Sequence, residues 1–271
     1  MLKIRKNDIV ARKSYGCDIL FSVDKIISST NGTAIAILKG ITTRIIADAF
    51  IDDLLIIDSN NFDNPISRID NIIENRILSS LNKKIIKNKY RFMQNTGRIL
   101  HLDGDKRYSE KSRRYYNKIG LNAIVRNVPE FKQPLMVKSL IPKYKPDILI
   151  VTGHDSMIKA GINYNDIHNY RNSKYFIQSV IEARKIIPSN KDLAIFAGAC
   201  QSFFEAIITS GANFASSPAR ILIDFMDPLI VAEKIATTSR NKFLTINDII
   251  EDLRDGKKGI DGVGSMGKRD L

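Results

Sequence analysis

Two apolar runs in this chain each end on a side chain that can do proton or nucleophile chemistry. Asp147-Ile-Leu-Ile-Val-Thr-Gly-His154 delivers an imidazole, and Asp192-Leu-Ala-Ile-Phe-Ala-Gly-Ala-Cys200 delivers a thiol. A thiolate attacks a carbonyl carbon, and an imidazole takes the thiol proton and returns it to the leaving group, so the pair suffices for acyl transfer. Runs this rich in β-branched and aromatic residues predict strands buried on both faces. In open α/β sheets reactive groups gather beyond the carboxyl ends of such strands. The 46-residue spacing of His154 and Cys200 leaves room for one loop and one crossover helix, so the two can be neighbours in space.

A lone cysteine at a strand end is as readily a packing residue, because free thiols bury well. Its company tips the balance. Gly153 precedes the histidine, and Gly198-Ala199-Cys200-Gln201-Ser202 reads as a turn into a helix that begins at Gln201 and runs to Ser210. Small residues let a substrate backbone approach, while a helix N-terminus favours a thiolate and offers N–H groups to an oxyanion. The expected oxyanion donors are the Cys200 backbone N–H and a group near Gly153, and the candidates for oxyanion or substrate contacts are Gly153, Ala199, Asp155 and His101. Asp155 could balance charge on His154, although adjacent residues of an extended segment point apart. His101, in the run Arg98-Ile-Leu-His101-Leu with Asp103 and Asp105 beyond it, reads as a polar strand terminus on the same sheet edge that could also line the site. His168, in a long loop over 155–172, carries less information.

These side chains need elements to position them. Residues 1–57 alternate short strand-like stretches with turn signals, among them Tyr15-Gly16 and Thr30-Asn31-Gly32, which predicts a small SH3-like β-barrel. Residues 58–96 are Asn-rich, with Ile69, Ile72, Ile73, Ile77 and Leu81 at helical spacing, and read as a helical linker. Residues 97–254 alternate strands with helices and predict a three-layer α/β/α domain around a mostly parallel sheet. The Gly- and Lys-rich segment 255–271 reads as a flexible basic tail.

Composition narrows the function classes. The 271 residues include only two cysteines, Cys17 and Cys200, and three histidines, so neither a disulfide framework nor a zinc site is expected and no cofactor is implied. No basic-then-apolar leader precedes the first strand, and no membrane partner is expected. The net charge of +13 would attract polyanions, but the basic residues are dispersed, from Lys83-Lys84 through Arg113-Arg114 to Lys268-Arg269. That spread favours a solvated surface over a nucleic-acid interface.

Five blocks carry a more specific signal: Arg98-Ile-Leu-His-Leu-Asp-Gly-Asp, Pro146-Asp-Ile-Leu-Ile-Val-Thr-Gly-His-Asp, Tyr170-Arg-Asn-Ser-Lys-Tyr-Phe, Ile195-Phe-Ala-Gly-Ala-Cys-Gln-Ser-Phe-Phe-Glu-Ala and Gly211-Ala-Asn-Phe-Ala-Ser-Ser-Pro. With the opening Asp8-Ile-Val-Ala-Arg-Lys-Ser-Tyr-Gly segment they resemble the YabG family of sporulation proteases over nearly the whole chain. The resemblance implies a peptidase of the mother cell acting on spore coat and cortex-associated proteins, with Cys200 as nucleophile and His154 as base. More distantly, a strand ending in His followed by a strand ending in Ala-Cys is similar to the caspase, clostripain and gingipain group. That likeness implies a caspase-like domain and a preference for Arg or Lys at the cleavage site, met by an acid drawn from Asp155, Asp166, Asp224 and Asp227. In that group Gly usually follows the histidine, whereas here Asp155 follows and Gly153 precedes. An amidotransferase-like hydrolase would place its histidine after the cysteine, and no histidine follows Cys200. The remaining alternative is a coat-assembly or nucleic-acid binding protein in which Cys200 only packs.

Overall fold

Alternation of apolar and polar residues with Gly and Asn turn signals builds the N-terminal unit. The computed structural model describes residues 4–28, 34–57, 95–158 and 163–270, together with some positions between 67 and 82. It divides the chain into two units, Met1–Lys83 and Lys84–Leu271. In the first, β1 (Ile9–Arg12), β2 (Leu20–Ser28), β3 (Ala34–Gly40), β4 (Ile46–Phe50) and β5 (Leu54–Ile56) form an antiparallel sheet in the order β4-β3-β2-β1-β5. Val10, Phe21, Val23, Ala36, Leu38, Ala49 and Leu54 point to one core. A bulge between Val23 and Lys25 shifts the register of β2 on β3, and the pairing continues to Ser28. The turn at Thr30-Asn31-Gly32 and most of the 58–96 linker lie outside the described residues; the described positions between Ser67 and Asn82 are helical.

The second unit is built on six strands: β6 (Ile99–Asp103), β7 (Ala123–Asn127), β8 (Ile148–Thr152), β9 (Ala194–Ala197), β10 (Phe214–Ser216) and β12 (Ile260–Gly262), with the pair β11 (Phe243–Leu244) and β13 (Ser265–Met266) apart from them. Their order is β12-β10-β9-β8-β6-β7, parallel throughout except for the antiparallel edge strand β12. Both inner strands of the site, β8 and β9, are buried along their whole length, as continuous apolar runs require.

Strand parity sorts the side chains between two faces. Leu100, Leu102, Leu149, Val151, Ile195 and Ala197 share a core with α2 (Gln133–Tyr144), α3 (Ser173–Ile186) and the short α4 (Phe204–Thr209). His101, Thr152 and, beyond the strand ends, His154 and Cys200 belong to the opposite face. There α1 (Lys106–Lys118) lies against His101 through Tyr116, and Tyr115 Oη donates 2.5 Å to Glu233 of α5 (Asp227–Thr237).

The C-terminal segment is not a loose tail. Its β12 closes the sheet edge against β10, β13 pairs with β11, and Lys268 is buried with its ammonium donating to the carbonyls of Lys191 and Asp192. Composition suggested mobility because Gly and Lys dominate it, yet one apolar anchor, Ile260, is fully enclosed. Burying an isoleucine contributes roughly 2 kcal/mol. Deleting residues 256–271 is therefore expected to destabilise the protein by at least about that amount; urea unfolding measures it, and a truncated chain as stable as the full one would show that this strand contributes nothing.

Candidate active site

The site sits where β8 and β9 end. Register pairs Ile148 with Ala194 and Val151 with Ala197, a constant offset of 46. His154 and Cys200 are spaced by the same 46 residues, and each lies within three residues of the end of its strand. Both side chains are fully buried.

His154 is held at every polar backbone atom. Its N–H donates to Glu130 Oε1 at 2.8 Å, and its carbonyl accepts from Asn172 Nδ2 at 2.7 Å. Gly153 has a steric role here: a Cβ at that position would stand 2.4 Å from Glu130 Oε1 and displace the carboxylate that fixes the histidine. The imidazole lies stacked on Tyr108, with centroids 5.6 Å apart, and its Nε2 is 3.9 Å from Asp105 Oδ2. Tyr108 stacks in turn on Phe225.

The cysteine turn differs from the sequence expectation. Gln201 takes a left-handed φ of 54°, and its N–H turns to Ser217 Oγ and the Ile221 carbonyl, so no helix starts there. The helix α4 begins only at Phe204, and the thiol is not at a helix N-terminus. Cys200 Sγ instead meets the segment after Arg220, accepting from the Ile223 N–H at 3.3 Å. Gly198, at φ 117°, allows the sharp approach, since a Cβ there would meet Ser216 Oγ at 2.3 Å. Ala199 is a core residue whose N–H is already given to Ser202 Oγ, so it is not an oxyanion donor.

Asp155 ties the two loops together. Its Oδ1 accepts the N–H groups of Ser156 and Asn172, and its Oδ2 accepts the hydroxyls of Ser173 at 2.5 Å and Ser202 at 2.9 Å. Each serine then accepts a backbone N–H from the cysteine turn: Ser202 from Ala199, and Ser173 from Phe203. Cys200 is thereby bracketed on both sides by one buried carboxyl group, which contacts neither the thiol nor open solvent. The sequence offered no pattern for this knot, because its partners are small polar residues 18 and 47 positions away.

The other histidines stand apart. His101 is the third of five residues in β6, not its terminus, and is wholly buried. Its Nε2 bonds Thr152 Oγ1 at 2.7 Å with Asp103 at 3.6 Å, and its Nδ1 meets Tyr116 Oη at 3.2 Å. That network joins β6, β8 and α1 and leaves the ring no substrate-facing edge. His168 is exposed on a 3-10 turn, Ile167–Asn169. Among the described residues, no group of three or more His, Cys, Asp or Glu side chains is arranged to hold a metal ion, and no helix is long and apolar enough to cross a membrane.

Burial pushes the Asp155 carboxyl up to about 7, against the four hydrogen bonds that pull it down. A carboxyl raised in the folded state binds more protons there than in the unfolded chain between pH 4 and 7, so its contribution to stability falls as pH rises through that window. The stability of the wild type relative to Asp155→Asn is expected to fall by up to roughly 4 kcal/mol across it and to level off above. Urea denaturation of both proteins at pH 4.5, 6 and 7.5 checks the sign.

Comparison with known proteins identifies the family. The family model for YabG peptidase U57 matches residues 5–271. A sporulation-specific protease, YabG of Bacillus subtilis (strain 168), is 35% identical over 282 residues, covering 98% of this chain and 96% of that protein. No solved structure matches the chain. With the match running through both units and every strand of the site, the chain belongs to the YabG peptidase U57 family and is a hydrolase of peptide bonds.

Proposed function

We propose that this peptidase is a sporulation-specific cysteine endopeptidase, with Cys200 as nucleophile and His154 as general base, which processes spore coat and cortex-associated proteins in the mother cell. The observation that supports the reading is that His154 and Cys200 follow directly on the neighbouring strands β8 and β9, with the same 46-residue spacing as the register of those strands. The sporulation setting follows from the name of the Bacillus subtilis relative.

The chemistry is acyl transfer in two halves. The Cys200 thiol gives its proton to His154, and the thiolate adds to the peptide carbonyl carbon. The C–N bond breaks as the imidazolium protonates the departing amine, which leaves a thioester. Water, deprotonated by His154, then cleaves the thioester, releasing the new carboxyl terminus and restoring the thiol. The Cys200 backbone N–H, with a group near Gly153, serves the oxyanion.

The strand order with helices on both faces supports a caspase-like three-layer arrangement, and the five-stranded N-terminal sheet an SH3-like barrel that binds substrate assemblies. Basic specificity is best matched to Asp224. Asp155 is enclosed, Asp166 caps a turn by accepting the His168 N–H, and Asp227 accepts the N–H groups of Asp224 and Arg254. Asp224 also accepts a backbone N–H, that of Met226 at 2.9 Å, but it follows the residue that touches Cys200 Sγ, and with the Arg254 guanidinium 3.8 Å away its second oxygen suits a guanidinium. A carboxylate in that position suits an Arg or Lys side chain of a substrate.

The deciding experiment incubates wild type, Cys200→Ala and His154→Ala with a spore-coat extract. Cys200→Ala is expected to be inactive but folded, since removing one thiol leaves little cavity, and His154→Ala to lose about 100-fold or more in turnover with binding retained. Full cleavage by folded Cys200→Ala overturns the reading. Asp224→Asn is expected to lose about 30-fold in cleavage after Arg relative to other residues, read from the fragments by mass spectrometry; an unchanged pattern assigns specificity elsewhere.

A further inference from the structure

The end of the sheet away from Cys200 carries a built polar cleft that the proposed chemistry does not use. Arg98, Asn122 and Asp147 directly precede the parallel strands β6, β7 and β8, so they stand at the edge opposite the cysteine turn. The five residues of β8 alone put roughly 17 Å between the two edges. A cleft of about 680 Å³ opens there among Arg98, Asn117, Asn122, Arg240 and Asp270. A second hollow of about 390 Å³ runs past Ile141, Pro142, Pro146 and Ile186, and because Arg98 and Asp147 line both, the two adjoin. We propose that this surface is a docking site for an acidic peptide segment of a partner protein, which seats a carboxylate against Arg98 and Arg240 and an apolar side chain against Pro142 and Ile186.

Asp147 orders the two guanidinium groups. Its Oδ2 accepts from the Arg98 backbone N–H at 2.8 Å and from Arg98 Nε at 3.1 Å, and its Oδ1 accepts from Arg240 Nη2 at 3.1 Å. Asp147 is mostly buried with both oxygens in use, whereas the arginine side chains are 50% and 43% exposed. Arg98 gives only Nε to that pair, and its two terminal nitrogens meet no acceptor among the described residues. A guanidinium held at its base with its tip free is prepared for a carboxylate, which it takes through two parallel N–H···O bonds. The chain itself supplies an example of the group that fits. Arg240 Nε donates to the Asp270 carboxylate, and the Asp270 N–H donates to the Asn95 carbonyl at 3.0 Å. That carboxylate is 60% exposed, and an exposed pair of this kind is weak, so an incoming acid replaces it at little cost.

The surroundings of the arginines favour an acidic peptide over a nucleic acid. The net charge of +13 draws either polyanion towards the chain, so the choice is made locally. Asp147 and Asp192 both line the hollow beside Arg98, and an unbroken row of phosphates would have to lie against them. A peptide presents its acids singly, with other side chains between. Pro142 and Ile186 are exposed on the same hollow, where they offer a phosphate nothing but gain by covering a leucine or valine.

Fluorescence anisotropy of a fluorescein-labelled peptide of repeated Glu-Glu-Leu units, titrated with the full chain, tests the site. The peptide carries no Arg or Lys, and mass spectrometry verifies that it stays whole. Arg98→Ala is expected to weaken binding about 10-fold. Asp270→Asn is expected to tighten it about threefold, because the resident carboxylate no longer competes for Arg240. Lys257→Ala and Glu251→Gln make the same changes of charge at exposed positions outside the cleft and are expected to leave the affinity unchanged. A gain in affinity cannot come from a damaged fold, so Asp270→Asn decides the matter if Arg98→Ala does not fold. Losses as large in Lys257→Ala as in Arg98→Ala reduce the binding to overall charge and overturn the site, as does an Asp270→Asn protein that binds no more tightly than Glu251→Gln. A labelled oligothymidylate that displaces the peptide and depends equally on Arg98 assigns the cleft to nucleic acid and overturns the peptide.

Discussion

The carboxyl group of Asp155 is the constraint on which the site depends. It takes four hydrogen bonds in a place with no solvent, and through Ser202 and Ser173 it controls the backbone on either side of Cys200. A buried ionisable group is costly unless fully bonded. Satisfying it forces the loop after β8, the start of α3 and the turn after β9 into a single arrangement. The cysteine loop cannot shift without breaking a serine relay, and the histidine loop cannot shift without moving Asp155. The loops that carry Cys200 and His154 are thus tied to each other through one carboxyl group.

A second constraint works by exclusion. Gly104 and Gly153 both face the Glu130 carboxylate, which would lie 2.1 Å and 2.4 Å from a Cβ at those positions. Two ordinary residues there would expel Glu130 and release the His154 backbone. The glycine before the histidine therefore serves the support of the His154 backbone, a task that its small size alone does not announce.

How much of this was legible follows from what each signal encodes. The strands leading to His154 and Cys200 were legible because burial on both faces demands unbroken apolar runs, and the register that pairs the strands has the same offset, 46, as those two residues. The helix expected at Gln201 was misplaced because a left-handed residue leaves no compositional mark in a non-glycine. The strand at Ile260–Gly262 was too short to show a period, and its neighbours Lys257, Lys258 and Gly259 have the composition of a linker. The Asp155 relay and the contact from Ile223 were invisible because they join residues by tertiary geometry. Asp105 had a local signal, an acid placed to cap the helix that starts at Lys106, but that signal described the helix and not the ring beside it.

The seal over the site has a kinetic consequence. His154 and Cys200 are wholly enclosed, with Ile223 against the sulfur and Phe225 packed on the tyrosine that covers the imidazole. On the proposed reading, a peptide reaches the thiol only once the contacts of Ile223 and Phe225 have given way. Each 1.4 kcal/mol by which the sealed form is favoured divides the working enzyme by about ten. On that reading, substitutions at Ile223 or Phe225 change the fraction of molecules open to substrate separately from the rate at which an open molecule cuts.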